Sequence, residues 1–141
     1  MTKTRITTFV IASLFLIILT ITTLSESFPP NLGSIGNPTA KEILDGNPDA
    51  DILKLDGLIF SHSDHQEWGN GKEYTRGELI GEINNQTTNA WWFRNLYATK
   101  LPKGTKVHMP SEEGYEKGNA PFALVVEYEG QLLIYRSLRE G

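Results

Sequence analysis

Not one of the 141 residues is cysteine. That excludes disulfide staples, thiolate nucleophiles, sulfur-ligated zinc and a lipid attached through a cysteine thiol. A folded domain in this chain must therefore be held by its apolar core. Clustered positive charge is also missing. Residues 28–141 carry eleven Lys and Arg against sixteen Asp and Glu, a mildly acidic excess of five. A nucleic-acid interface needs basic side chains to displace counterions from phosphates, so no nucleic acid is expected as a partner. The serines lack a GxSxG setting, the glycines lack a phosphate-loop setting, and no internal repeat is visible. No catalytic residue is expected from these patterns.

Against these absences stands one long apolar run. Residues 6–24, from Ile6 to Leu24, read ITTFVIASLFLIILTITTL, without a single charge, behind Lys3 and Arg5. Nineteen residues at about 1.5 Å each give a helix of roughly 28 Å, close to a hydrocarbon thickness of roughly 30 Å. Basic residues in front of such a run are kept cytoplasmic, which sends the rest of the chain outside. The run exceeds the usual signal-peptide core and has no Ala-x-Ala cleavage pattern behind it, favouring a retained anchor over a cleaved signal. The expected organisation is a signal-anchor or signal peptide over 1–27, a linker over 28–39 and an extracytoplasmic domain over 40–141. The expected location is the cell membrane, single-pass with the C-terminal domain outside, or else secreted. The lipid bilayer is then a partner through Ile6 to Leu24.

The linker mixes Pro, Gly and small polar residues, as an extended tether does. Asn37 is placed to cap a short helix with Pro38 at its first position, ended by Asp45-Gly46, with Ala40, Ile43 and Leu44 on one side. Strands are expected at Leu55 to Phe60, at Leu79 to Ile83 with Leu79 and Ile83 inward, and at Trp91 to Thr99. Thr105 to Met109 is expected to form a hairpin with the third of these. Phe122 to Glu129 and Gln131 to Ser137, hinged at Gly130, form the strongest hairpin signal. Six short strands with one brief helix and no strand–helix–strand unit predict a mainly β domain, a small antiparallel barrel or curved sheet.

Two clusters carry candidate chemistry. His62, Asp64, His65 and Glu67 crowd into SHSDHQEW, where two imidazoles and a carboxylate could hold zinc, with His108 as a distant further ligand. The spacing is not that of HExxH, and a solvated polar loop explains it as well. Trp91, Trp92 and Phe93 could form an aromatic platform, although a strand would turn at least one of these rings into the core. Trp92 beside Arg94 is the face that mixes a ring with a charge, and it is the candidate ligand-binding pair.

Asn47 to Ile52 (NPDADI), Asp56 to Phe60 (DGLIF), Glu67-Trp68, Gly81 to Ile83 and Ala98 to Lys106 (ATKLPKGTK) resemble a family of small exported proteins of Gram-positive bacilli, many of them lipoproteins. The likeness covers most of residues 40–140. It implies an envelope location and a single domain, with no activity attached, and the chain departs from the lipoprotein members in having no lipobox cysteine. The expected function is a membrane-tethered or secreted extracytoplasmic domain with a binding or accessory role in the cell envelope, acting on an envelope protein or ligand. The alternative is a metal-dependent envelope enzyme built on the His62 to Glu67 loop.

Overall fold

The computed structural model describes residues 10–14, 16–17, 36–64, 73–110 and 114–139. The chain divides into two compact units, Met1–Pro30 and Asn31–Gly141. In the first, residues 10–14 and 16–17 are helical. The remainder of the 6–24 run lies outside the described residues. Among the described residues, no helix is long and apolar enough to cross a membrane.

The second unit opens with helix α1 (Ala40–Gly46). Its cap is Thr39 rather than Asn37, because Thr39 and Glu42 form a capping box. The Glu42 N–H donates to Thr39 Oγ1 at 3.2 Å, and the Thr39 N–H donates back to Glu42 Oε2 at 2.8 Å. Those hydrogen bonds hold the Glu42 carboxyl below its ordinary pKa. Ala40 and Leu44 are buried, as the spacing predicted.

Eight strands follow: β1 (Ile52–Leu55), β2 (Leu58–Ser63), β3 (Arg76–Glu82), β4 (Asn85–Gln86), β5 (Tyr97–Ala98), β6 (Lys106–Pro110), β7 (Ala123–Tyr128) and β8 (Gln131–Ser137). They form one curled sheet in the order β3-β6-β7-β8-β2-β1-β5-β4. All pairs are antiparallel except β4 with β5, which is parallel. The stretch expected as one strand from Leu55 to Phe60 is instead a tight hairpin. Asp56 and Gly57 both have positive φ, 49° and 80°, and reverse the chain so that Leu55 pairs with Leu58. Positive φ at both central residues is the requirement of a type I′ turn, and Asp-Gly is a favoured way to meet it. The expected final hairpin is present, with Glu129 and Gly130 at φ 51° and 74° in its turn.

The sheet curls because β3 and β4 belong to one continuous stretch, 76–86. Its first part pairs with β6 and its last part with β5. Between them the Ile83 N–H donates to Thr105 O at 2.8 Å and the Asn84 N–H to Leu96 O at 2.7 Å. Leu53, Leu55, Phe60, Ile83, Ala98, Leu101, Val107, Leu124, Val126 and Tyr135 fill the inside. The alternate residues face outward, where Ile52 and Ile59 are covered by Ala40, Leu44 and Phe93. On another part of the outer face, Tyr74 covers Ala123, Val125 and Ile134. Strands buried on both faces show weak alternation, as β7 does with Ala-Leu-Val-Val.

Two expectations fail on β3 and beyond. Leu79, expected inward, is exposed, because the β3–β6 register shifts on both sides of it and sends Ile80 to the core instead. Ile83 is buried and Glu82 exposed, as expected. The segment Trp91 to Thr99 is not a strand paired with residues 105–109. It begins as a 3-10 turn (Ala90–Trp92), and only Tyr97–Ala98 is extended in the sheet, against β1 and β4.

Candidate functional site

The 3-10 turn is built by the residue before it. Asn89 Oδ1 accepts from the Trp91 N–H at 3.2 Å, and Asn89 O accepts from the Trp92 N–H at 3.3 Å. Ala90 on one side and buried Phe93 on the other pack into the cluster beneath α1. Phe93 meets Tyr97 edge to face, with ring centroids 6.4 Å apart. The Lys54 ammonium donates to Phe93 O at 3.2 Å, and partial burial pulls the Lys54 pKa below its ordinary value. With its flanks fixed in this way, the turn holds Trp91 and Trp92 outward, 58% and 54% exposed. The ring that the sequence required in the core is Phe93, and both indoles are on the surface.

One basic side chain lies beside an indole. The Lys41 ammonium on α1 sits 5.5 Å from the Trp91 ring centroid, within cation–π range, and also pairs with Asp45. Arg94, two residues after Trp92, is exposed. The candidate pair Trp92 and Arg94 is thus exposed, next in sequence to Trp91, whose ring Lys41 accompanies. Lys41 was not legible as a neighbour, since fifty residues separate it from Trp91.

Of the four candidate metal ligands, His62 and Asp64 are described. His62 lies on β2 with its ring 5.4 Å from that of Tyr135, tilted by 54°, and its Nδ1 is 3.9 Å from Asp64 Oδ1. That distance is beyond a hydrogen bond. His65 and Glu67 lie outside the described residues. His108 cannot join His62 on one ion. His62 stands opposite Tyr135 on the inner face, whereas His108 stands opposite Val125 on the outer one. Among the described residues, no three His, Asp or Glu gather in a metal-binding group.

Two tyrosine–carboxylate pairs were not anticipated. Tyr135 Oη donates to Asp51 Oδ1 at 2.8 Å, and Tyr115 Oη donates to Asp56 Oδ2 at 2.8 Å. Burial first, then the neighbouring carboxylate, pushes the Tyr135 pKa far up and that of Tyr115 to about 12. Both phenols stay protonated as hydrogen-bond donors, which suits fastening rather than proton abstraction. The partners are 84 and 59 residues apart. No local pattern in the sequence announces them.

Comparison of the chain with protein-family models, with curated proteins and with solved structures finds no match.

Proposed function

We propose that this protein is a membrane-tethered extracytoplasmic β domain with a binding or accessory role in the cell envelope. The observation that carries the reading is the uncharged run from Ile6 to Leu24 behind Lys3 and Arg5. In its described part, Val10, Ile11, Leu14, Leu16 and Ile17 are each more than half exposed. At about 100° per residue, these side chains occupy more than half of the helix circumference. A helix that is apolar on so many sides gains most by leaving water for lipid. The resemblance read in the motifs of residues 47–106, to exported proteins of Gram-positive bacilli, implies the same location.

The binding role rests on Trp91, Trp92 and Arg94, held outward by a turn whose flanks are locked in the core. Fractionation of expressing cells, followed by carbonate washing and N-terminal sequencing, tests the tether. Retention of the uncut chain in the washed membranes is the expected result. Release of the uncut chain by carbonate contradicts it. The metal-enzyme alternative on the His62 to Glu67 loop is supported by the approach of His62 to Asp64. Zinc titration of the full chain tests that alternative, which requires a stoichiometric rise in Tm that is lost in His62→Ala.

A further inference from the structure

We infer that the Trp91–Trp92 turn is a second membrane contact, inserting its two indoles into the interfacial layer of the bilayer to which the chain is tethered. The inference rests on the proposed tether. Its observations are separate, and they concern the shape, support and place of the turn.

Shape comes first. Successive residues of a 3-10 turn point about 120° apart, so the two indoles diverge and cannot stack together on one flat ligand. Small-molecule and sugar sites are concave and bury most of their ligand. Here both rings are more than half exposed on an outward-turned segment. Diverging, protruding rings suit a deformable apolar medium. Indole also has an apolar body and one N–H donor, the combination that favours the boundary between headgroups and acyl chains.

Support comes second. Exposed tryptophan pairs are costly in water, and a flexible loop would fold them away against the domain. This turn cannot do so, because Asn89 caps it, Ala90 and Phe93 are packed beneath α1, and Lys54 holds Phe93 O. The indoles are therefore presented without an ordering cost at the moment of docking.

Place comes third. The turn packs against α1, the element that begins at Ala40. Only the fifteen residues 25–39 separate that helix from the end of the apolar run. The turn bearing the two indoles therefore packs on the element of the domain that is nearest in sequence to the apolar run. Tethering raises the effective concentration to about the millimolar range, so even a weak insertion is populated. Lys41 is shared with Asp45, and the domain is mildly acidic, so the contact is driven by the indoles rather than by anionic lipid. Lys41, beside the Trp91 ring, is placed to meet the headgroups once that ring inserts.

The test uses the full chain carrying Trp68→Phe, which leaves two indoles, reconstituted in phosphatidylcholine vesicles with and without phosphatidylglycerol. Lipids brominated on their acyl chains should quench at least half of the indole emission, acrylamide should quench it several-fold less than in the denatured chain, and the anionic lipid should change little. A chain that floats with the vesicles while its indoles escape the brominated lipid and stay open to acrylamide overturns this inference and leaves the tether standing. A chain that fails to float overturns both. If Trp68→Phe does not fold, the emission lost from the parent chain in Trp91→Phe/Trp92→Phe carries the same readout, and loss of unquenched emission only overturns the inference.

Discussion

The phenol of Tyr135, wholly buried on β8, donates to the carboxylate of Asp51 at 2.8 Å. The backbone carbonyl of the same Asp51 accepts from the His62 N–H at 3.0 Å. One residue just before β1 therefore fastens both β2 and β8. Tyr135→Phe removes the donor and leaves a half-buried carboxylate without it. The expected loss is about 1.5–3 kcal/mol, as for a hydrogen bond to a charged group. Urea unfolding of the variant measures it, and a loss under about 0.5 kcal/mol shows that the pair contributes little.

Alkaline pH should weaken the domain through its tyrosines. The folded pKa of Tyr115 is raised from 10.0 to about 12, and that of Tyr135 is raised further. Above about pH 10 the unfolded chain releases these protons first. The folded state then binds more protons, and stability falls as pH rises. The contribution is complete below pH 10 and is lost from about 10 upward, through 12 for Tyr115. Lys54 works in the opposite sense, since its folded pKa is lowered and its burial cost is relieved as it deprotonates. Thermal melts from pH 9 to 12 should show a falling Tm in the parent and a flatter curve in Tyr115→Phe/Tyr135→Phe.

How much of this was legible depends on the range of the interaction. The final hairpin could be read because its turn and both strands are contiguous. The first hairpin carries the same kind of signal, Asp56-Gly57 between Ile52-Leu53-Lys54-Leu55 and Leu58-Ile59-Phe60, but apolar residues directly on both sides of the turn give it the pattern of one strand. Thr39 with Glu42 was likewise an available capping-box signal. The outward position of Leu79 was not legible, because two register shifts against β6 decide it. Nor was the turn at Trp91 and Trp92, where aromatic residues that favour strands are overruled by the Asn89 cap and by the burial of Phe93. Of the candidate site, Trp92 and Arg94 were read from the chain, whereas Lys41 came to it only through packing.

Turn strain gives a prediction of opposite sign. Glu129 stands at φ 51° in the β7–β8 turn, a conformation that most side chains disfavour and that Asn tolerates best among residues with a Cβ. Glu129→Asn should stabilise the domain by roughly 0.5–1 kcal/mol. Gly130→Ala, at φ 74°, should destabilise it by about 1 kcal/mol. Denaturant midpoints with unchanged m-values measure both, and a destabilising Glu129→Asn would show that the contact of Glu129 with the Tyr128 phenol outweighs the turn strain.

Thr99 joins β5 to β1. Its hydroxyl donates to Ala50 O at 2.7 Å and accepts from the Ile52 N–H at 2.9 Å, and the residue is buried. Thr99→Val keeps the shape and leaves both backbone groups without this partner. The expected cost is about 1–3 kcal/mol, against under about 1 kcal/mol for Thr99→Ser. Equal losses in the two variants would assign the role to the methyl group.

We propose that the uncharged run from Ile6 to Leu24 carries this cysteine-free β domain out of the cytoplasm. An alkaline phosphatase reporter fused after Gly141 tests it most directly, because that enzyme is active only after export. Full reporter activity, abolished when Ile11→Lys and Leu14→Lys interrupt the apolar run, is the predicted result. An inactive reporter on an intact, well-expressed fusion would contradict the account.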